Sequence, residues 1–119
     1  MIDTKQIQTA SGINIAAAIW IIFSPFILGF SAINAILVNN ILLGIIIGVL
    51  AAIRVSMPGK KTNWLSVANM ILGLWLIISP FTVSGSMDAA PIWNNVIVGL
   101  VVTVMAAWSA STGQETSRV

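Results

Sequence analysis

The chain is one membrane hairpin written twice. Shifting the sequence by 55 positions lays residues 14–54 on residues 69–109 without a gap. About 14 of the roughly 41 paired positions are identical, where shared apolar composition alone would give only a few. The matches include Asn14/Asn69, Trp20/Trp75, Ser24-Pro25-Phe26 on Ser79-Pro80-Phe81, Asn39-Asn40 on Asn94-Asn95, Gly44/Gly99 and Ala51-Ala52 on Ala106-Ala107. Random apolar drift does not keep Trp, Pro and paired Asn at a fixed offset, so the pattern is a duplication.

Composition says what surrounds the repeat. With 58% hydrophobic and 7% charged residues and a mean hydropathy of +1.03, the chain lies outside the soluble globular range. Charge-free runs cover 6–53, 63–87 and 89–114, and about 20 apolar residues suffice to cross the hydrocarbon of a bilayer. The first apolar run lacks a small-residue cleavage site and belongs to the repeat, so it reads as a retained helix and not a signal peptide. At 119 residues there is room for a single membrane domain, with repeat one over about 10–56 and repeat two over about 64–111.

Four helices are expected, over about 10–30, 36–55, 64–83 and 91–110. Pro58-Gly59 stops the second helix within a turn over 57–63, and Pro91 suits the first turn of the fourth. Residues 111–119 read as a frayed polar tail. The fold class is an all-α membrane protein with four transmembrane helices, as two tandem, parallel-oriented helical hairpin repeats. Lys5, Arg54, Lys60, Lys61 and Arg118 fall on one side of this scheme and Asp88 on the other. By the positive-inside rule both termini and the central turn face the cytoplasm. The expected location is multi-pass in a cell membrane, the inner membrane of a prokaryote. The two halves would then share one orientation, related by a pseudo-two-fold axis along the membrane normal.

Ser24-Pro25 and Ser79-Pro80 are expected about two-thirds of the way across their helices. Proline frees the carbonyl four residues earlier, that of Ile21 or Leu76, and lipid offers it no water. The neighbouring serine hydroxyl is one candidate partner. Either the kink exposes carbonyls to an ion or solute, or it shapes the packing, and the structural kink is the preferred reading. A Trp four residues before Ser-Pro, an aromatic after it, and a second copy in a four-span chain together resemble the SPW-repeat family of bacterial and archaeal membrane proteins. That family is named for Ser-Pro-Trp in the first helix of each two-helix unit. Here Phe26 and Phe81 replace the final Trp. The resemblance covers residues 14–109 and implies a fold, without an established activity.

Other polar positions recur with the repeat. Asn14 and Asn69 are expected near the cytoplasmic ends of helices one and three, and Asn39, Asn40, Asn94 and Asn95 in the first turns of helices two and four. They read as interhelical glue, with a polar lining for a solute path as the alternative. Gly44-xxx-Gly48 and Gly99-xxx-Thr103 place small residues along helices two and four, which are expected to pack on each other or on a neighbouring subunit. Trp64, Trp93 and Trp108 fall at boundary positions. Trp20 and Trp75 are deeper, and a packed indole bonded to a carbonyl is preferred over contact with a quinone or pigment.

Enzyme chemistry has little to stand on. There is no Cys or His, and the only acids are Asp3, Asp88 and Glu115, far apart in sequence. No nucleophile has a base beside it, so no catalytic, cofactor-binding or metal site is assigned and the chain is not expected to be an enzyme. Five scattered cations make no nucleic-acid footprint. No ionisable residue is expected in mid-span, which removes the usual parts of a proton relay. The expected partners are the lipid bilayer and either further copies of the chain or a larger membrane complex. The leading function is a structural or accessory module that oligomerises or docks, with a passive channel or carrier for a small neutral solute or ion as the alternative.

Overall fold

The computed structural model describes residues 4–29, 34–57, 60–82 and 89–116. Both outer connections, together with Asp3, Pro58, Gly59, Asp88 and Arg118, lie outside them. The described residues form α1 (Thr4–Ile27), α2 (Asn34–Ser56), a single 3-10 turn at Lys60–Thr62, α3 (Asn63–Thr82) and α4 (Ala89–Thr116). All four helices are long and apolar enough to cross a membrane. At about 1.5 Å per residue even the shortest, with 20 residues, matches the roughly 30 Å of hydrocarbon.

Two helices are longer than the sequence pattern indicates. α1 begins at Thr4, not near residue 10, and α4 runs on to Thr116. Packing explains the earlier start of α1. Ile7 and Ala10 are fully buried, and Gln8 Nε2 donates to the carbonyl of Val55 at 3.2 Å. Across the bundle, Trp108 Nε1 donates to Gln6 Oε1 at 3.3 Å. The polar lead-in therefore carries helix because the neighbouring helices give it partners.

α1 packs on α2 and α4, and α3 packs on α4 and α2, which leaves α1/α3 and α2/α4 as the diagonals. Neighbours run antiparallel. On α1/α2, Gln8 meets Val55 while Ala18 meets Gly48. On α1/α4, Ser11 meets Ser109 while Trp20 meets Asn94. The same order holds on α2/α3, where Arg54 meets Ser66 and Asn39 meets Trp75.

The polarity of the bundle is inverted relative to a water-soluble protein. Ser11, Asn14, Ser24, Asn40, Arg54, Ser66, Asn69, Ser79, Asn94, Asn95 and Ser109 are buried. Phe23, Leu42, Ile45, Val49, Ile71, Leu74, Ile78, Leu100 and Val104 face outward. Exposing that much apolar side chain is stable only where the surroundings are apolar too.

Pro25 and Pro80 sit in the last turns of α1 and α3, closer to the helix ends than their sequence positions suggest. α1 ends at Ile27, two residues after Pro25, and Gly29 follows with a φ of +83°, the left-handed conformation that glycine adopts without a Cβ penalty.

Candidate functional site: a polar network tying four helices

One turn of α1 supplies Trp20 and Ser24, and the equivalent turn of α3 supplies Trp75 and Ser79. Ser24 Oγ donates to the Ile21 carbonyl at 3.1 Å and Ser79 Oγ to the Leu76 carbonyl at 3.0 Å. These are the carbonyls that Pro25 and Pro80 free, so each Ser-Pro pair answers its own defect.

Asn39-Asn40 on α2 and Asn94-Asn95 on α4 complete the network. Both pairs lie in the second helical turn, since α2 starts at Asn34 and α4 at Ala89, and not in the first turn as the sequence suggested. Asn40 Nδ2 donates to Asn95 Oδ1 at 3.0 Å and Asn95 Nδ2 returns the bond to Asn40 Oδ1 at 2.9 Å. Trp20 Nε1 donates to Asn94 Oδ1 at 2.7 Å, and Trp75 Nε1 to Asn39 Oδ1 at 3.1 Å. Asn94 Nδ2 reaches Ser24 Oγ at 3.0 Å and Asn95 Oδ1 at 3.2 Å, while Asn95 Nδ2 reaches Ser79 Oγ at 3.3 Å. Every helix contributes, and the Trp–Asn contact and the contact between adjacent asparagines each recur at the 55-residue offset.

The deep tryptophans differ from expectation. Trp20 and Trp75 are 38% and 40% exposed. Each bonds an asparagine side chain instead of a main-chain carbonyl. An indole on a helix flank can satisfy its N–H inward while its ring faces lipid.

A second polar layer lies at the other end of the bundle, around a residue that composition alone marks as a boundary cation. Arg54 is 1% exposed. Its Nε donates to Ser66 Oγ at 3.0 Å and Ser109 Oγ at 3.1 Å. Nη1 donates to Thr62 Oγ1 at 2.8 Å, and Nη2 to Asn63 Oδ1 at 3.1 Å and the Ser109 carbonyl at 3.0 Å. Ser11 Oγ stands 3.5 Å from Ser109 Oγ, which brings α1 into the same cluster. The sequence did carry a signal for this layer. Ser11 and Ser66 stand 55 positions apart, and Arg54 over Ser109 closes the aligned block.

Between the two layers lies a core of Ala18, Ile21, Leu43, Ile47, Leu76, Val98 and Val102. Asn14 and Asn69 sit at its Arg54-side edge. Asn14 Nδ2 donates to the Val102 carbonyl at 3.4 Å and Asn69 Nδ2 to the Ile47 carbonyl at 3.3 Å. Asn14 is ten residues into α1, about 15 Å from its start, so it lies deeper than an end position.

The glycines pack inside each hairpin. A Cβ on Gly44 would meet the Ala18 carbonyl at 2.9 Å, and one on Gly99 the Gly73 carbonyl at 2.8 Å. Gly48 faces Ala18, and Thr103 lies over Gly73. α2 and α4 are diagonal, so these small residues let α2 approach α1 and α4 approach α3. They do not join α2 to α4.

Chemically the two layers consist of amides, hydroxyls, indoles and one guanidinium. Such groups fix helices by hydrogen bonds and have no member poised to exchange protons near neutral pH.

A family model described as SPW repeat domain matches residues 8–109. No curated protein and no solved structure gives a significant match. The matched stretch takes in both hairpins, both Ser-Pro turns and both polar layers, with Phe26 and Phe81 at the third motif position; the chain belongs to the SPW-repeat family.

Proposed function

We propose that this protein is a sealed structural or accessory module of the membrane. The observation that carries the reading is the apolar layer between the two polar ones. Ile21, Ile47, Leu76 and Val102 are fully buried there, with Ala18, Leu43 and Val98 filling the remainder. A constriction of such side chains excludes water and ions. The guanidinium of Arg54 on the same line adds an electrostatic barrier to cations. The polar network beyond is closed on itself, its asparagines bonded to one another, to tryptophan and to serine.

The two hairpins share one orientation and are related by a pseudo-two-fold axis along the membrane normal. The reciprocal Asn40–Asn95 pair and the Arg54–Ser109 pair, each 55 residues apart, support that axis. Both termini face the cytoplasm, on the strength of Lys5, Arg54, Lys60, Lys61 and Arg118.

The module docks on a further copy or on a larger complex through the α1/α4 face. That face departs from the internal symmetry: Trp93 stands where Val38 stands in the other repeat. With Trp20, Leu28, Asn94, Ile97 and Val98, Trp93 lines a cavity of about 420 Å³. Purification from native membranes in mild detergent should bring down a stoichiometric partner or a homo-oligomer, and Trp93→Val should weaken that association. Reconstituted protein should conduct neither ions nor small neutral solutes. Flux that changes with substitutions at Asn40 or Asn95 would replace the module with a channel.

A further inference from the structure

Asn14 and Asn69 are counterparts in the two repeats, each 2% exposed. Both direct Nδ2 at a main-chain carbonyl of a neighbouring helix. In both, Oδ1 is buried and accepts no hydrogen bond from any described residue. Turning the carboxamide over does not help. It would press Oδ1 against the Val102 or Ile47 carbonyl, acceptor on acceptor, and leave Nδ2 bare instead.

Helical main-chain N–H groups at this depth are already committed within their own helices, so a donor has to come from outside the main chain. One turn back on the same faces stand Ser11 and Ser66, already engaged with Ser109. Thr103 Oγ1 is a third buried oxygen without a partner, and it lies over Gly73, one turn from Asn69.

We propose that Asn14 and Asn69 each bind one internal water molecule, which donates a hydrogen to Oδ1. Water is the smallest donor that fits an enclosed polar position, and buried waters characteristically satisfy groups of this kind. The sites lie on the Arg54 side of the apolar core, so they hydrate the bundle without breaching its seal. The duplication supplies the site twice.

A crystal structure of the full chain grown from lipid, at a resolution that shows ordered water, tests this directly. A density peak is expected about 2.7–3.2 Å from Oδ1 of both residues. Asn14→Leu should remove the peak at position 14 and leave the one at position 69. In selectively asparagine-labelled wild-type protein in nanodiscs, the side-chain amide protons of both residues should exchange magnetisation directly with water. The assignment is overturned by bare Oδ1 atoms, by a protein donor seated on them, or by a peak at one site alone. It is also overturned by a peak ringed by five or more oxygens at about 2.3–2.6 Å, the signature of a cation.

Discussion

Asn95 is the position where one substitution should cost most in the polar network. Its carboxamide makes four bonds: Nδ2 to Asn40 Oδ1 at 2.9 Å and Ser79 Oγ at 3.3 Å, and Oδ1 from Asn40 Nδ2 at 3.0 Å and Asn94 Nδ2 at 3.2 Å. Interhelical bonds in membranes contribute about 0.6–2 kcal/mol each. Summed over the four bonds, Asn95→Leu lowers stability by about 2–8 kcal/mol, at the upper end if Asn40 is left with unpaired groups. Asn40→Leu breaks the same reciprocal pair. The two bonds they share are counted twice when the single effects are summed, so the double variant should be less unstable than that sum by about 1–4 kcal/mol. Reversible unfolding in mild detergent of the wild type, both single variants and the double variant measures the coupling. Strict additivity would refute the reasoning, because it would mean that the two side chains do not hold each other.

Other substitutions read out the remaining contacts. Gly99→Ala sets a methyl against the Gly73 carbonyl and the Ile77 main-chain nitrogen and should cost about 1–3 kcal/mol, whereas Gly48→Ala meets only an ordinary contact with Ala18 and should be nearly neutral in the same unfolding assay. Arg54→Lys keeps the charge but not the planar fork that reaches Ser66, Ser109, Thr62 and Asn63, so its melting temperature should fall well below wild type and not recover at low salt. Ser24→Ala leaves the Ile21 carbonyl and the Asn94 amide each short of a bond, and should destabilise by about 1–3 kcal/mol in denaturant titration. A cysteine at Met57 should resist an impermeant thiol reagent in intact cells while one at Ser86 labels; reversed labelling would invert the topology.

The architecture was legible because helix length in a bilayer depends on apolar run length, and the repeat marked where each run belongs. Positions that recur were legible too: Asn40/Asn95 and Trp20/Trp75 could be singled out from their offset alone. The pairings between them were not, because which asparagine meets which tryptophan depends on how α1 lies against α4. The glycines illustrate the same limit. Gly44 and Gly99 recur as small residues on one helix face, but recurrence does not say whether that face meets its own hairpin partner or the diagonal helix. Arg54 was read as a boundary charge because charge at a span end suits the interface equally well. Only packing reveals that Thr62, Ser66 and Ser109 enclose it.

The two places where residues 55 positions apart meet, Asn40 with Asn95 and Arg54 with Ser109, follow different rules, and chemistry separates them. A duplicated hairpin sets each axial residue opposite its own counterpart. A carboxamide suits that position, since it carries donor and acceptor together and two copies satisfy each other, as Asn40 and Asn95 do. A guanidinium is donor only, and a second one opposite would bring like charges together in a medium that screens them poorly. Serine opposite arginine resolves the conflict: Ser109 accepts from Nε through its hydroxyl and from Nη2 through its carbonyl. Symmetry is kept where the group is self-complementary and broken where it is not. Ser109→Arg should accordingly disrupt the bundle, and exchanging the pair, Arg54→Ser together with Ser109→Arg, should restore only part of the lost stability: Ser11 then stands where Ser66 stands now, but Ile7 stands where Thr62 stands and offers Nη1 no acceptor.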